Sequence, residues 1–112
     1  MNNTIFTFEV NRILMELKDF LNDFLGESNV RLILYGSKAR GDYYHESDID
    51  IAIIINGLTK EQKRIILDNV AELEFKHLVP LSALVLSEED FNRLKKRERR
   101  IALDIEREGI SL

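Results

Sequence analysis

Asp48 and Asp50 stand one residue apart in "SDIDIAIII", an acidic pair opening an otherwise apolar run. In an extended strand successive side chains point to opposite faces, so the two carboxylates share one face and Ile49 and Ile51 the other. At a rise of roughly 3.3 Å per residue their Cα atoms lie about 7 Å apart, near enough for both carboxylates to converge on one cation. Mg2+ suits such a pair, because it takes one or two carboxylates and completes its shell with water and phosphate oxygens. Gly36 and Ser37 precede Asp48 by a ten-residue loop. A glycine permits close backbone approach, and the short segment after it can aim N–H groups at an anion. Lys38 and Arg40 add positive charge in the same turn, and arginine can fork onto phosphate oxygens. Taken singly, a Gly-Ser turn and two solvent-facing aspartates would merely cap a strand. Together, in this order and spacing, they make a site for a metal and a nucleotide phosphate.

Such a site needs a scaffold, and the flanking periodicities supply one. Apolar residues at Val10, Ile13, Leu14, Leu17, Phe20, Leu21, Phe24 and Leu25 repeat at the spacing of one helical face, and Gly26 caps that helix. "VRLILYG" and "DIDIAIII" read as strands on either side of the loop. Thr59 is the expected N-cap of a helix to about Phe75, with Ile65, Ile66, Val70 and Leu73 facing inward. "PLSALVL" is a third strand, introduced by the only proline. From Ser87 a helix with acids in its first turn is predicted to continue through "KKRERR" to Glu108, where Gly109 stops it and "ISL" follows as a short edge strand. This order predicts an α/β fold, a small mixed sheet with helices packed on it.

The chain has 112 residues, the size of one domain with one hydrophobic core, and its connections are too short for an interdomain linker. Apolar residues at 45% against 32% charged exclude a disordered chain. A net charge of -4 excludes a global positive field for nucleic acid, so any phosphate binding must be local. With no cysteine, disulfides, thiolate metal sites and cysteine catalysis are excluded. No apolar run is long enough to span a bilayer and no signal peptide opens the chain, which makes a cytoplasmic location the default.

The stretch "YGSKARGDYYHESDIDIAI", with its "GS" and "D-I-D" separated by ten residues, resembles the signature of the polymerase-beta-like nucleotidyltransferases. In detail it is similar to their minimal nucleotidyltransferase group, and the resemblance extends over nearly the whole chain. It implies a single domain spanning 1–112 that transfers a nucleoside monophosphate, AMP above others, from NTP to a hydroxyl with release of pyrophosphate. By that likeness Asp48 and Asp50 are catalytic and hold two Mg2+ ions, while Gly36, Ser37, Lys38 and Arg40 bind ATP or another NTP through its phosphates. It also implies a partner: such proteins are often paired with a small HEPN-domain toxin, which they restrain as antitoxins.

The family places a third Asp or Glu on the next strand, and here Ser82 aligns with that position. A neutral serine is a poor metal ligand and no base near neutral pH. The acceptor-side metal therefore lacks one ligand unless Glu72, Glu74 or Glu88 reaches in. Two functions stay open at this point, a transferase and a nucleotide-binding antitoxin that acts by complex formation. Transfer to a small molecule such as an aminoglycoside is disfavoured, since no additional acceptor-binding domain is present. Self-association is equally open. Among the remaining residues, His45 reads as a surface loop histidine, Tyr43 and Tyr44 as local packing or interface aromatics, and His77 as an ordinary partly exposed residue. The basic run "RLKKRERR" reads as a solvated helix face.

Overall fold

The computed structural model describes residues 8–41 and 48–112. Helix α1 (Phe8–Leu25) leads through a short 3-10 turn at Glu27–Asn29 into β1 (Val30–Tyr35), and a one-turn helix α2 (Gly36–Ala39) follows directly. After the loop come β2 (Ile49–Ile55), α3 (Lys60–His77) and β3 (Leu81–Ser87). Helices α4 (Glu88–Lys96) and α5 (Arg100–Glu108) and the two-residue β4 (Ile110–Ser111) complete the chain. Tyr43, Tyr44 and His45 lie outside the described residues.

The strands form a four-stranded mixed sheet in the order β3-β2-β1-β4. Strand β2 runs antiparallel to β1 and parallel to β3, so the β2-α3-β3 segment is a βαβ unit. Its alternate residues build two separate cores. Ile49, Ile51, Ile53 and Ile55 pack with α1 and α3 through Ile13, Leu17, Leu21, Ile66 and Val70. Ala52 and Ile54 face the other way and join Ile33, Phe91, Ala102 and Ile105 beneath α4 and α5. Apolar burial on both faces explains why β2 reads as a near-continuous isoleucine run rather than an alternating one.

The helix ends follow local chemistry. Thr59 and Gln62 form a reciprocal capping box at the start of α3, and Ser87 accepts from the Asp90 N–H at the start of α4. Helix α1 is pinned to α3 where Glu16 meets the Lys76 ammonium at 2.7 Å and His77 Nε2 at 2.5 Å. The hydrogen bond from Lys76, with a smaller contribution from His77, holds the Glu16 carboxyl below its ordinary value. His77 is partly exposed as a residue, as expected, while its side chain is only 9% exposed against Glu16.

One expected element divides. The helix predicted to run unbroken from Ser87 to Glu108 is two helices, because Glu98 adopts a left-handed φ of 53°. The N–H groups of Glu98 and Arg99 return to the carbonyls of Lys95 and Leu94, the bond pattern of a Schellman cap. The break redirects the chain so that Ala102 and Ile105 reach the sheet that Phe91 already covers. Among the described residues no helix is long and apolar enough to cross a membrane.

Candidate nucleotidyltransferase site

Asp50 is the second residue of β2, and the ladder fixes its neighbours on both sides. Across β1 it faces Tyr35, and across β3 it faces Ser82. Paired residues in adjacent strands share a face. Tyr35, Asp50 and Ser82 thus form one row on the sheet face that carries α4 and α5, at the end of the sheet where β1 gives way to α2. Asp48 stands just before β2 and is exposed.

Gly36 is the residue that lets the loop approach this row. Its φ of +76° belongs to the left-handed region, and a Cβ there would overlap the Asp50 carboxylate, meeting Cγ at 3.1 Å and Cβ at 3.2 Å. The N-terminal end of the Gly36–Ala39 turn, where peptide dipoles favour an anion, therefore abuts a carboxylate. A second anion brought to this turn would be repelled by Asp50, and a cation between the two would relieve that repulsion.

The electrostatics point the same way. Partial burial, followed by the nearby Asp48 charge, pushes the Asp50 carboxyl above its ordinary value, and Arg40 opposes that rise. Tyr35 is pushed up in turn by burial and by Asp50, which keeps its phenol neutral. A carboxyl with a raised folded-state value contributes stability at low pH that is lost as pH climbs through that value. Asp50→Asn is accordingly expected to stabilise the metal-free protein near neutral pH while matching wild type in acid. Urea unfolding at the two pH values checks this, and an unchanged midpoint at neutral pH would count against the strain.

The structure distributes the other expected residues unevenly. Gly36, Ser37 and Lys38 lie in α2, and Gly36 abuts Asp50. Arg40, at the end of that turn, donates from Nη1 to Glu108 Oε2 at 2.8 Å, tying the loop to the last turn of α5. None of the three glutamates considered as a third carboxylate joins Asp50. Glu88 receives two bonds from Arg31 at the far end of the sheet. Glu74 accepts the Leu81 N–H at 3.0 Å. Glu72 is exposed on α3, which packs against the opposite face. Among the described residues no group of three or more His, Asp or Glu side chains is gathered as a metal cluster. Asp48 and Asp50 remain a chemically suitable pair of oxygen donors for Mg2+, which needs only one or two carboxylates beside phosphate oxygens. Sequence reasoning passes over Tyr35, although its place as the last residue before Gly36 is a signal that could mark it.

The model of the nucleotidyltransferase domain matches residues 14–109, a span that contains the turn, both aspartates and strands β1, β2 and β3. The chain belongs to the nucleotidyltransferase family. Two proteins of Methanocaldococcus jannaschii, each named "putative protein adenylyltransferase", are similar to it. One is 39% identical over 80 residues, which cover 69% of this chain and 76% of the relative. The other is 32% identical over 78 residues, covering 69% of this chain and 79% of the relative. A third of the same printed name and organism is 27% identical over 86 residues and is matched over 58% of its length. The family match supports nucleotidyl transfer as the chemistry of this chain.

Proposed function

We propose that this nucleotidyltransferase binds ATP with Mg2+ at Asp48, Asp50 and the Gly36–Ala39 turn and transfers AMP to a hydroxyl group of a partner protein. The observation that carries the reading is the contact of Gly36 with the Asp50 carboxylate, which sets an anion-favouring helix start against a carboxylate. Mg2+, when bound, neutralises phosphate charge and stabilises the oxygens that enter and leave phosphorus. The chain's own groups do the rest. Asp48 and Asp50 would hold the cation that meets the phosphates, Gly36 and Ser37 would take the outer phosphates through the backbone, and Lys38 adds positive charge there. Arg40 can help orient the triphosphate on exchanging its Glu108 partner. The acceptor oxygen bonds to the α-phosphorus, the bond to the bridging oxygen breaks, pyrophosphate leaves, and the hydroxyl proton passes to water. A protein acceptor is favoured by the names of the relatives. By its likeness to the minimal group, we assign as partner a HEPN-domain toxin in the cytoplasm, with this chain as its antitoxin.

A specific observation favours a second reading. Ser82 is the register partner of Asp50, so the position beside the acceptor is neutral and exposed. In that reading the chain binds Mg-ATP and restrains its partner by complex formation without transfer. Incubation with α-labelled ATP, Mg2+ and the co-purified partner, comparing wild type with Ser82→Asp, separates the two. Label on the partner with the wild type supports transfer. Label that appears only with Ser82→Asp identifies a binding protein that has lost its chemistry, and absence of Mg-ATP binding by calorimetry would sink both readings.

A further inference from the structure

Arg40 meets Glu108 across the chain, Nη1 donating to Oε2 at 2.8 Å, with side chains 56% and 36% exposed. Both residues hang from β1. Arg40 ends the turn that leaves the strand at Gly36, and its N–H returns to the Gly36 and Ser37 carbonyls at 3.2 Å. Glu108 is held by the segment that follows it. The Gly109 N–H bonds to the Ile105 carbonyl at 3.0 Å, and a Cβ at Gly109 would collide with that carbonyl and with the Ile33 side chain. Ile110 then pairs with Leu34, Ser111 with Ile33, and the Leu112 N–H reaches the Leu32 carbonyl at 2.9 Å. One strand thus sets the distance between guanidinium and carboxylate, and rotation of the two exposed side chains is enough to part them.

Local chemistry does not account for an acid at this position. Glu108 is the last residue of α5, and peptide dipoles repel a carboxylate in the last turn of a helix. What it gains there is Arg40. The same guanidinium charge is felt at Asp50, so the arginine stands between the carboxylate of the candidate site and the carboxylate at its rim. A guanidinium fork takes carboxylate and phosphate oxygens alike. Glu108 therefore holds Arg40 in the way that a phosphate oxygen would.

Resting on the nucleotide site proposed above, we infer that Glu108 is a stand-in for the outer phosphates, taking Arg40 whenever the site is empty and yielding it to the β- and γ-phosphates of ATP. The competition runs in both directions of the cycle. Glu108 opposes the entering triphosphate and then reclaims Arg40 from pyrophosphate, so it weakens the hold on both ligands by one factor. The apparent affinity of each is reduced by the fraction of Arg40 that is unpaired, and for an exposed ion pair that amounts to about 2- to 6-fold. AMP carries no outer phosphate and stays outside the competition. Acting through Arg40 and touching neither nucleotide nor metal, Glu108 is a positioning residue that hastens release of the leaving group.

The test is calorimetry on the full chain with Mg-ATP, Mg-pyrophosphate and AMP, comparing wild type with Glu108→Gln, which keeps the shape and removes the charge. Glu108→Gln is expected to tighten Mg-ATP and Mg-pyrophosphate by the same factor, about 2 to 6, and to leave AMP unchanged. Loss of any negative charge near an anion site can tighten binding through space, so Asp104→Asn serves as the control. It removes an equal charge one turn back in α5 and leaves the Arg40 bond in place. A gain of the same size with Asp104→Asn, or a gain that extends to AMP, overturns the competition. Equal or weaker Mg-ATP binding by Glu108→Gln overturns it too, since Glu108 would then be idle or would be aiming Arg40 at the phosphates. In each of these cases the nucleotide site itself stands. Absence of Mg-ATP binding in both wild type and Glu108→Gln overturns the site, and the competition with it.

Discussion

Asp48→Asn combined with Asp50→Asn is expected to reduce nucleotidyl transfer to background and to remove Mg-ATP binding, with no loss of fold. The two side chains are one exposed and one partly buried carboxylate, and neither belongs to the core. Their amides keep the shape and lose the charge, so the change isolates metal affinity. Because Asp50 is already raised by burial and by Asp48, the charged pair is held at a cost that a cation relieves. Binding of Mg2+ should therefore weaken on acidification from a higher pH than for an ordinary aspartate. Calorimetry with Mg-ATP and the rate of label transfer check both statements. Wild-type Mg-ATP affinity in the double variant would remove the aspartates from the site.

Gly36→Ala is expected to lower transfer about 100-fold, the scale of loss for a displacement near 1 Å at a reacting centre. Two effects act together. The left-handed backbone costs a non-glycine residue about 1–2 kcal/mol, and the new methyl must displace the Asp50 carboxylate or push the turn away from it. Thermal unfolding reports the first effect and single-turnover transfer the second. Gly57, also at positive φ but with open space around it, is the control, since alanine there should cost stability while leaving transfer untouched.

Much of this site is legible in the sequence because it is local. The glycine-serine pair, the loop length and the alternation around Asp48 and Asp50 all lie within one stretch of chain, and helix α1 and the βαβ unit follow from periodicity and caps. The alignment of Ser82 with Asp50 is also accessible, since a parallel strand after a crossover helix must lie beside β2. What the sequence withholds is long-range or atypical. The bond from Arg40 to Glu108 spans 68 residues, and nothing in either neighbourhood predicts it. Glu98 takes the left-handed cap position usually given to glycine, so a break in the charged helix is hidden inside a run of good helix formers. Glu74 looks like an acid available to the metal, and only the fold shows it committed to the Leu81 N–H.

The burial of β2 has a consequence for how long the aspartates keep their place. Ile51 to Ile55 are fully enclosed, flanked by a strand on each side and by helices above and below. Amides in such a position exchange with solvent only through the largest openings of the molecule, whereas edges and termini open far more readily. Asp50 is therefore carried on the strand expected to yield last, and its place beside the turn is kept by strand order alone.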